Sequence, residues 1–168
     1  DADRVLKALR KRLERFGLRL NDEKTRRVSF ARPSAGRNGG TSFDFLGFTF
    51  YWGRSLNGHP IPKVKTSGKR LRASLVRVRV WASTVRNRQG LLPIWRTFCA
   101  KVRGHLRYYG VSFNHRALEM FIRQATRIMY KWLNRRSQRR SFNWEKFQRF
   151  MDQHPLPRPV VYTSLFDR

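Results

Sequence analysis

The chain has 168 residues, with Lys+Arg 38 against Asp+Glu 10 and a formal net charge of +28. A compact protein with that imbalance repels itself, so the composition points to a polyanionic partner; the charge runs along the whole chain, which favours nucleic acid over a membrane surface. There is no apolar run of about 18 residues to span a bilayer, and Asp1-Ala2-Asp3-Arg4 lacks the apolar stretch of a signal peptide. A single cysteine, Cys99, excludes an internal disulfide and a cysteine-rich zinc site, and is compatible with a reducing compartment.

The basic residues are interleaved with 13 Phe, 5 Trp and 5 Tyr, enough apolar surface to build a core. The length suits one domain, or one small domain with part of another. No Met opens the chain and a helical pattern is already running by Arg4, so the sequence is expected to begin inside a larger architecture.

In chain order, residues 3–16 read as an amphipathic helix with Leu6, Leu9, Leu13 and Phe16 on one stripe, ended by Gly17 in a left-handed conformation. Arg27-Val28-Ser29-Phe30 is a short strand candidate, followed by a Gly/Ser/Asn loop from Pro33 to Ser42. Residues 43–52 alternate aromatics (Phe43, Phe45, Phe48, Phe50) and read as a strand, in which Gly47 marks a bulge or a close backbone approach. Residues 53–68, with Gly53, Gly58, Pro60, Pro62 and Gly68, read as a connector.

Beyond the connector the pattern is helical. Residues 69–86 carry Leu71, Leu75 and Val78 at helical spacing, although Val76-Arg77-Val78-Arg79-Val80-Trp81 alternates like a strand; helix is the favoured reading. Over 92–109, Trp95, Phe98, Val102, Leu106 and Tyr109 fall on one face and Arg96, Arg103 and Arg107 on another. Over 115–135, Leu118, Phe121, Ile122, Ala125, Met129 and Trp132 point inward, while Arg123, Arg127, Lys131 and Arg135 recur at every fourth residue. A short helix at about 143–151, capped by Ser141 or Asn143, precedes a proline-punctuated tail from Pro155 to Arg168.

The apolar stripes are read as core. The cationic line is read as a phosphate-binding face, because like charges four apart destabilise a helix and acids are nearly absent beside them. Arginine further favours bidentate phosphate contacts. Tyr109 continues the apolar stripe, whereas Tyr108 points elsewhere, free to stack on a base or bond a phosphate. His105 reads as a packing or phosphate-contact residue. No His, Cys or carboxylate pair has metal-ligand or acid/base spacing, and no phosphate loop or nucleophile elbow is present. On residues alone, the chain binds nucleic acid and displays no chemistry.

Four stretches carry a family resemblance. They are Gly17-Leu18-Arg19-Leu20-Asn21-Asp22-Glu23-Lys24-Thr25, Phe43-Asp44-Phe45-Leu46-Gly47-Phe48, Arg103-Gly104-His105-Leu106-Arg107-Tyr108-Tyr109-Gly110-Val111, and Trp132-Leu133-Asn134-Arg135-Arg136-Ser137. With the closing Leu156-Pro157-Arg158-Pro159, they resemble, in order, the C-terminal part of a group II intron reverse transcriptase/maturase. The resemblance implies an α+β, mostly helical fold: a palm remnant over 1–52 (a helix plus an antiparallel β-hairpin), a linker over 53–68, and a basic helical thumb bundle, the maturase-specific domain, over 69–168.

It further implies that Lys24 is the palm lysine near the incoming nucleotide's phosphates, and that Phe45, Leu46, Gly47 and Phe48 form the primer grip. Lys69, Arg70, Arg96, Arg103, Arg107, Tyr108, Arg123, Arg127, Lys131, Arg135 and Arg136 would contact RNA. The expected partners are structured RNA of the group II intron kind and a template–primer duplex, with assistance to splicing. The setting implied is a ribonucleoprotein in a bacterial cytoplasm. The Tyr-Ala-Asp-Asp type motif and the fingers of the family are missing, so the chain is expected to be catalytically incompetent alone and to hold no cofactor, whereas the complete family enzyme would use Mg. Two alternatives stay open: that it completes an active RNA-directed DNA polymerase with a separate fingers–palm piece, or that it is a basic structural RNA-binding protein.

Overall fold

A computed structural model describes residues 1–33, 40–135 and 143–166. The chain is α+β and mostly helical, as the sequence predicts, and divides into two compact units, Asp1–Thr41 and Ser42–Arg168. The boundary falls before the aromatic strand region rather than after it. The first two of the four stretches noted in the sequence therefore lie in different units, Lys24 in the first and Phe45–Phe48 in the second.

The first unit is built on helix α1, Ala2–Glu14. Gly17, at φ +68°, supplies the left-handed residue expected at the helix exit. The turn that follows is organised by Asn21, whose side-chain oxygen accepts from the Lys24 N–H at 3.0 Å. Arg10 pairs with Asp22 and Arg27 with Asp3. The hydrogen bond from Arg27, helped by its charge, holds the Asp3 carboxyl below the usual carboxylate range. No residue of α1 is buried, and Leu9 and Phe16 of its apolar stripe are exposed. The expected strand at Arg27–Phe30 does not form. A strand exists only beside a hydrogen-bonded neighbour, and among the described residues the three paired strands all fall within 43–66.

The second unit opens with an antiparallel sheet of β1 (Phe43–Phe45), β2 (Phe48–Arg54) and β3 (Pro60–Thr66), in that order. What reads as one bulged strand over 43–52 is thus a hairpin. Leu46 and Gly47 take φ values of +48° and +86°, and two consecutive left-handed residues reverse the chain in a two-residue turn. Phe43 faces Phe50 across it, with rings stacked 5.1 Å apart. The expectation of a close backbone approach at Gly47 holds. A Cβ there would sit 3.0 Å from the Tyr109 hydroxyl and 3.3 Å from the Arg70 side chain. The turn is also tied down from both sides, since Ser67 N–H donates to the Gly47 carbonyl at 2.9 Å and Tyr108 Oη donates to the Leu46 carbonyl at 2.9 Å.

Leucine has a strained backbone in that first turn position, which favours Asn, Asp or Gly. Leu46→Asn is therefore expected to stabilise the second unit by up to about 1 kcal/mol. Gly47→Ala should destabilise it by roughly 1–2 kcal/mol through the left-handed φ and the Tyr109 contact. Urea denaturation midpoints check both, and shifts of equal sign would contradict this account of the turn.

The 53–68 stretch, expected as a linker, carries the end of β2 and all of β3. Its prolines do not prevent a strand because β3 is an edge, where Pro60 and Pro62 need no outward N–H. Val64 and Thr66 at its end are buried. Ser67 then caps helix α2 (Gly68–Val85) by accepting from the Arg70 N–H. Helices α3 (Leu91–Tyr109), α4 (His115–Leu133) and α5 (Trp144–Gln153) follow, close to the predicted ranges. Asn143 caps α5 by accepting from the Lys146 N–H, while Ser141 lies outside the described residues.

The core has the composition the periodicity predicts. Trp95, Phe98, Val102, Leu106 and Tyr109 from α3 meet Leu118, Phe121, Ala125 and Met129 from α4, with Val78 and Ala82 from α2 and Phe147 from α5. Asn114 at the start of α4 bonds to Thr66 just before α2, and Arg86 at the end of α2 lies over the Trp132 ring near the end of α4. Helices α2 and α4 therefore run parallel. Along the chain between them lies α3, its Phe98 stacked near Trp81 of α2. The tail, extended as expected, returns to the α3–α4 junction, where the Tyr162 N–H donates to the Gly110 carbonyl at 2.7 Å and Thr163 pairs with Val111.

Candidate nucleic-acid interface

The α4 line forms because its apolar residues occupy one face and leave the opposite one to water. Arg123, Arg127 and Lys131 are all exposed, on the side away from Leu118, Phe121, Ala125 and Met129. A rise of 1.5 Å per residue spreads them over about 12 Å of helix. Among the described residues no ion pair neutralises any of the three; the one described pair on this helix joins His115 to Glu119 at 3.1 Å. Arg116, seven residues before Arg123, extends the line backward. With Arg123 it lines a groove that also contains Glu119 and Pro159. One four-residue step back from Arg123 falls on Glu119; Arg116 is two helical turns back on the same face, which a helical projection of the sequence would have found.

Arg135 does not continue the line. Helix α4 ends at Leu133, and the Arg135 guanidinium sits 5.1 Å from the Trp132 ring centroid, with Arg86 at 5.0 Å from the same ring. Two cation–π contacts thus hold Arg135 and Arg86 against the Trp132 ring at the helix end. Arg136 lies outside the described residues.

The second cationic set is on α3. Arg96, Arg103 and Arg107 are exposed at spacings of seven and four. Arg96 and Arg103 border a cleft of about 360 Å³ floored by Trp95 and Cys99 and closed by His154. Burial pushes the Cys99 thiol up, against the opposing influence of Arg103, so the cysteine is a protonated apolar neighbour rather than a nucleophile.

Lys69 and Arg70 are exposed in the first turn of α2, and Arg70 reaches the hairpin tip. Leu46 at that tip is 67% exposed and Phe45 58%. The expected grip residues Phe45, Leu46 and Phe48 share an apolar cleft of about 340 Å³ with Phe50, Val64 and Tyr108. Tyr108 keeps 56% of its surface exposed, while its hydroxyl is committed to the Leu46 carbonyl. It anchors the hairpin as well as offering a ring face. Lys24 is exposed in the first unit.

Sequence reading named Lys69 and Arg70 on α2 but missed the cations beyond them. Arg72 and Arg79 are exposed with Lys69, and Arg77 faces α3, but the Val-Arg alternation of 76–80 disguises the helical register. Among the described residues no three His, Cys, Asp or Glu side chains come together to hold a metal ion, and no helix is long and apolar enough to cross a membrane. No family model, curated protein or solved structure matches the chain.

Proposed function

We propose that this chain is an RNA-binding module of the thumb/maturase kind that its sequence resembles, holding structured RNA and a template–primer duplex by their phosphates. The observation that carries the reading is the line Arg116, Arg123, Arg127 and Lys131 on α4, whose last three members have no ion-pair partner among the described residues. Three or four cations on a rigid helix release counterions when they meet a phosphate backbone, and that release drives binding. Arg96, Arg103 and Arg107 on α3 give a second such line, and an A-form duplex is recognised by shape through phosphate and 2′-hydroxyl contacts. The exposed apolar tip at Leu46, held in a strained turn by Tyr108 and Ser67, suits contact with a strand end. In this reading the chain binds and positions RNA, and the polymerase carboxylates of the family come from elsewhere.

The experiment is a filter-binding titration of structured RNA against salt, with the double variant Arg127→Glu, Lys131→Glu. Affinity is expected to fall at least about tenfold near physiological salt, with the slope of log K on log salt shallower by roughly 2. Both positions are exposed, so the circular dichroism and melting temperature should be unchanged. An unaltered slope with a folded variant would refute the assignment of α4.

A further inference from the structure

A pocket of about 350 Å³ opens between α2, α3 and α4, and its polar lining comes from Ser74, Arg77, Lys101, His105, Tyr108 and Tyr109. The His105 ring is clamped between two aromatic neighbours. Phe121 stacks on it at 3.6 Å between centroids and Tyr109 lies tilted at 4.6 Å. With these two rings against the imidazole, its hydrogen-bonding groups lie on the ring edge. The edge atom Nε2 is buried and has no hydrogen-bond partner. Buried polar atoms in native folds are nearly always bonded, so an orphan one marks a place where something binds.

The cations beside it are set in advance. Arg77 Nη2 donates to the hydroxyl of buried Ser74 at 2.9 Å, and Lys101 Nζ rests 5.2 Å from the centroid of the Trp81 ring. Among the described residues, the charged and titratable groups around His105 are Arg77 from α2 and Lys101, Tyr108 and Tyr109 from α3; α4 contributes the neutral Phe121, and no described carboxylate lines the pocket. Burial first, and then the charge of Arg77, push the His105 imidazole down to about 4, so near neutral pH it is uncharged and carries one ring N–H.

We propose that this pocket is a phosphate-binding site, in which Arg77 and Lys101 supply the charge and the Nε2–H of His105 donates to a phosphate oxygen. A neutral donor sharing a pocket with two cations suits an oxyanion of tetrahedral shape, whose several oxygens accept from different directions. The proposal rests on the RNA reading only for the source of the phosphate, either a strand backbone or a free nucleotide.

The test uses the full chain with labelled histidine, the His105 ring signals being assigned by their loss in His105→Gln. Inorganic phosphate is titrated in at constant ionic strength. Saturable movement of the His105 ring signals is expected, with the titration midpoint rising from about 4 toward the ordinary histidine value as bound phosphate favours the imidazolium. Arg77→Gln and Lys101→Gln, both at exposed positions, should each weaken phosphate binding at least about tenfold, as removing a charge-assisted contact does. Ring signals that phosphate does not move, or moves equally in Arg77→Gln, overturn the site.

Adenosine 5′-monophosphate and a 5′-hydroxyl RNA hexamer then separate the sources. Movement by the hexamer assigns a strand phosphate, and movement by the mononucleotide alone assigns a free nucleotide. Loss of the phosphate response with α4-dependent RNA binding intact sinks the site and spares the functional reading. Phosphate response without RNA binding does the reverse.

Discussion

Replacing Asn114 by alanine is expected to cost the second unit roughly 3–5 kcal/mol, the largest effect of any single side chain considered in this fold. Asn114 is fully buried and occupies the position before α4 where an asparagine usually caps the helix, yet its side chain makes no cap bond. Instead Oδ1 accepts from the Thr66 N–H at 2.7 Å, and Nδ2 donates to Thr66 Oγ1 and to the Tyr109 carbonyl, both at 2.8 Å. One amide thereby joins the end of β3, the end of α3 and the start of α4. Alanine would take the side-chain acceptor from the buried Thr66 N–H, and one donor each from the Thr66 hydroxyl and from the Tyr109 carbonyl, which keeps the Val111 N–H at 2.8 Å. A buried group left unpaired costs about 1–3 kcal/mol. Asn114→Asp should recover only part of the loss, because a carboxylate still accepts from Thr66 but faces the Tyr109 carbonyl without a proton to give. Urea unfolding gives the measurement, supported by hydrogen exchange at the Thr66 amide. A loss under about 1 kcal/mol for Asn114→Ala would show that the three bonds do not carry the junction.

That junction also explains which parts of the molecule could be read in the sequence. The stripes of α3 and α4 repeat at three and four residues, so burial of Phe98, Val102, Leu106, Phe121 and Met129 follows from local spacing, and the exposure of Arg123, Arg127 and Lys131 follows as its complement. The Asn114–Thr66 bonds span 48 residues and leave no local mark. The hairpin was hidden for a different reason. Its turn is Leu46-Gly47 rather than Asn-Gly, and Phe-Leu-Gly-Phe reads as an unbroken apolar run. Pro60 and Pro62 made β3 look like a linker because a sequence does not say which strand lies at an edge. Arg135 kept the spacing of the α4 line but not its place, since the helix stops at Leu133 and Trp132 attracts the guanidinium.

The same limit applied to the pocket. His105 stood alone in the sequence, with no neighbour at ligand spacing. Arg77 sat in an alternating run that resembled a strand, and Lys101 is four residues from His105 on a helix whose clearest signal was apolar. Only the packing of the helices brings Arg77 and Lys101 into one pocket with His105. The hairpin tip is tied to Tyr108 and touches Tyr109, and both tyrosines also wall the pocket. Anything that moves the tip therefore acts on residues that position His105, which gives the strained turn at Leu46 a link to the pocket through contacts alone.

The buried imidazole makes a second large prediction, on pH. In the unfolded chain His105 takes up its proton near the ordinary 6.5, whereas in the folded protein burial and Arg77 delay protonation to about 4. Between those values the unfolded state binds more protons, so stability is expected to fall as the pH drops through that window. Above it both states are neutral at this position and His105 contributes no slope; below it both are protonated and the penalty stays constant. The full difference amounts to roughly 3 kcal/mol, and nearer 2 because the side chain as a whole is only part-buried. His105→Gln removes the titration, so its stability should change much less between about pH 7 and pH 4, whatever the variant loses at pH 7 from the Phe121 stack. Urea midpoints across that range decide the matter, and parallel curves for the two proteins would rule His105 out as the source. Phosphate supplies an independent check. An anion bound at the pocket stabilises the protonated folded state, so the wild-type loss at low pH should shrink in phosphate buffer and the Arg77→Gln loss should not.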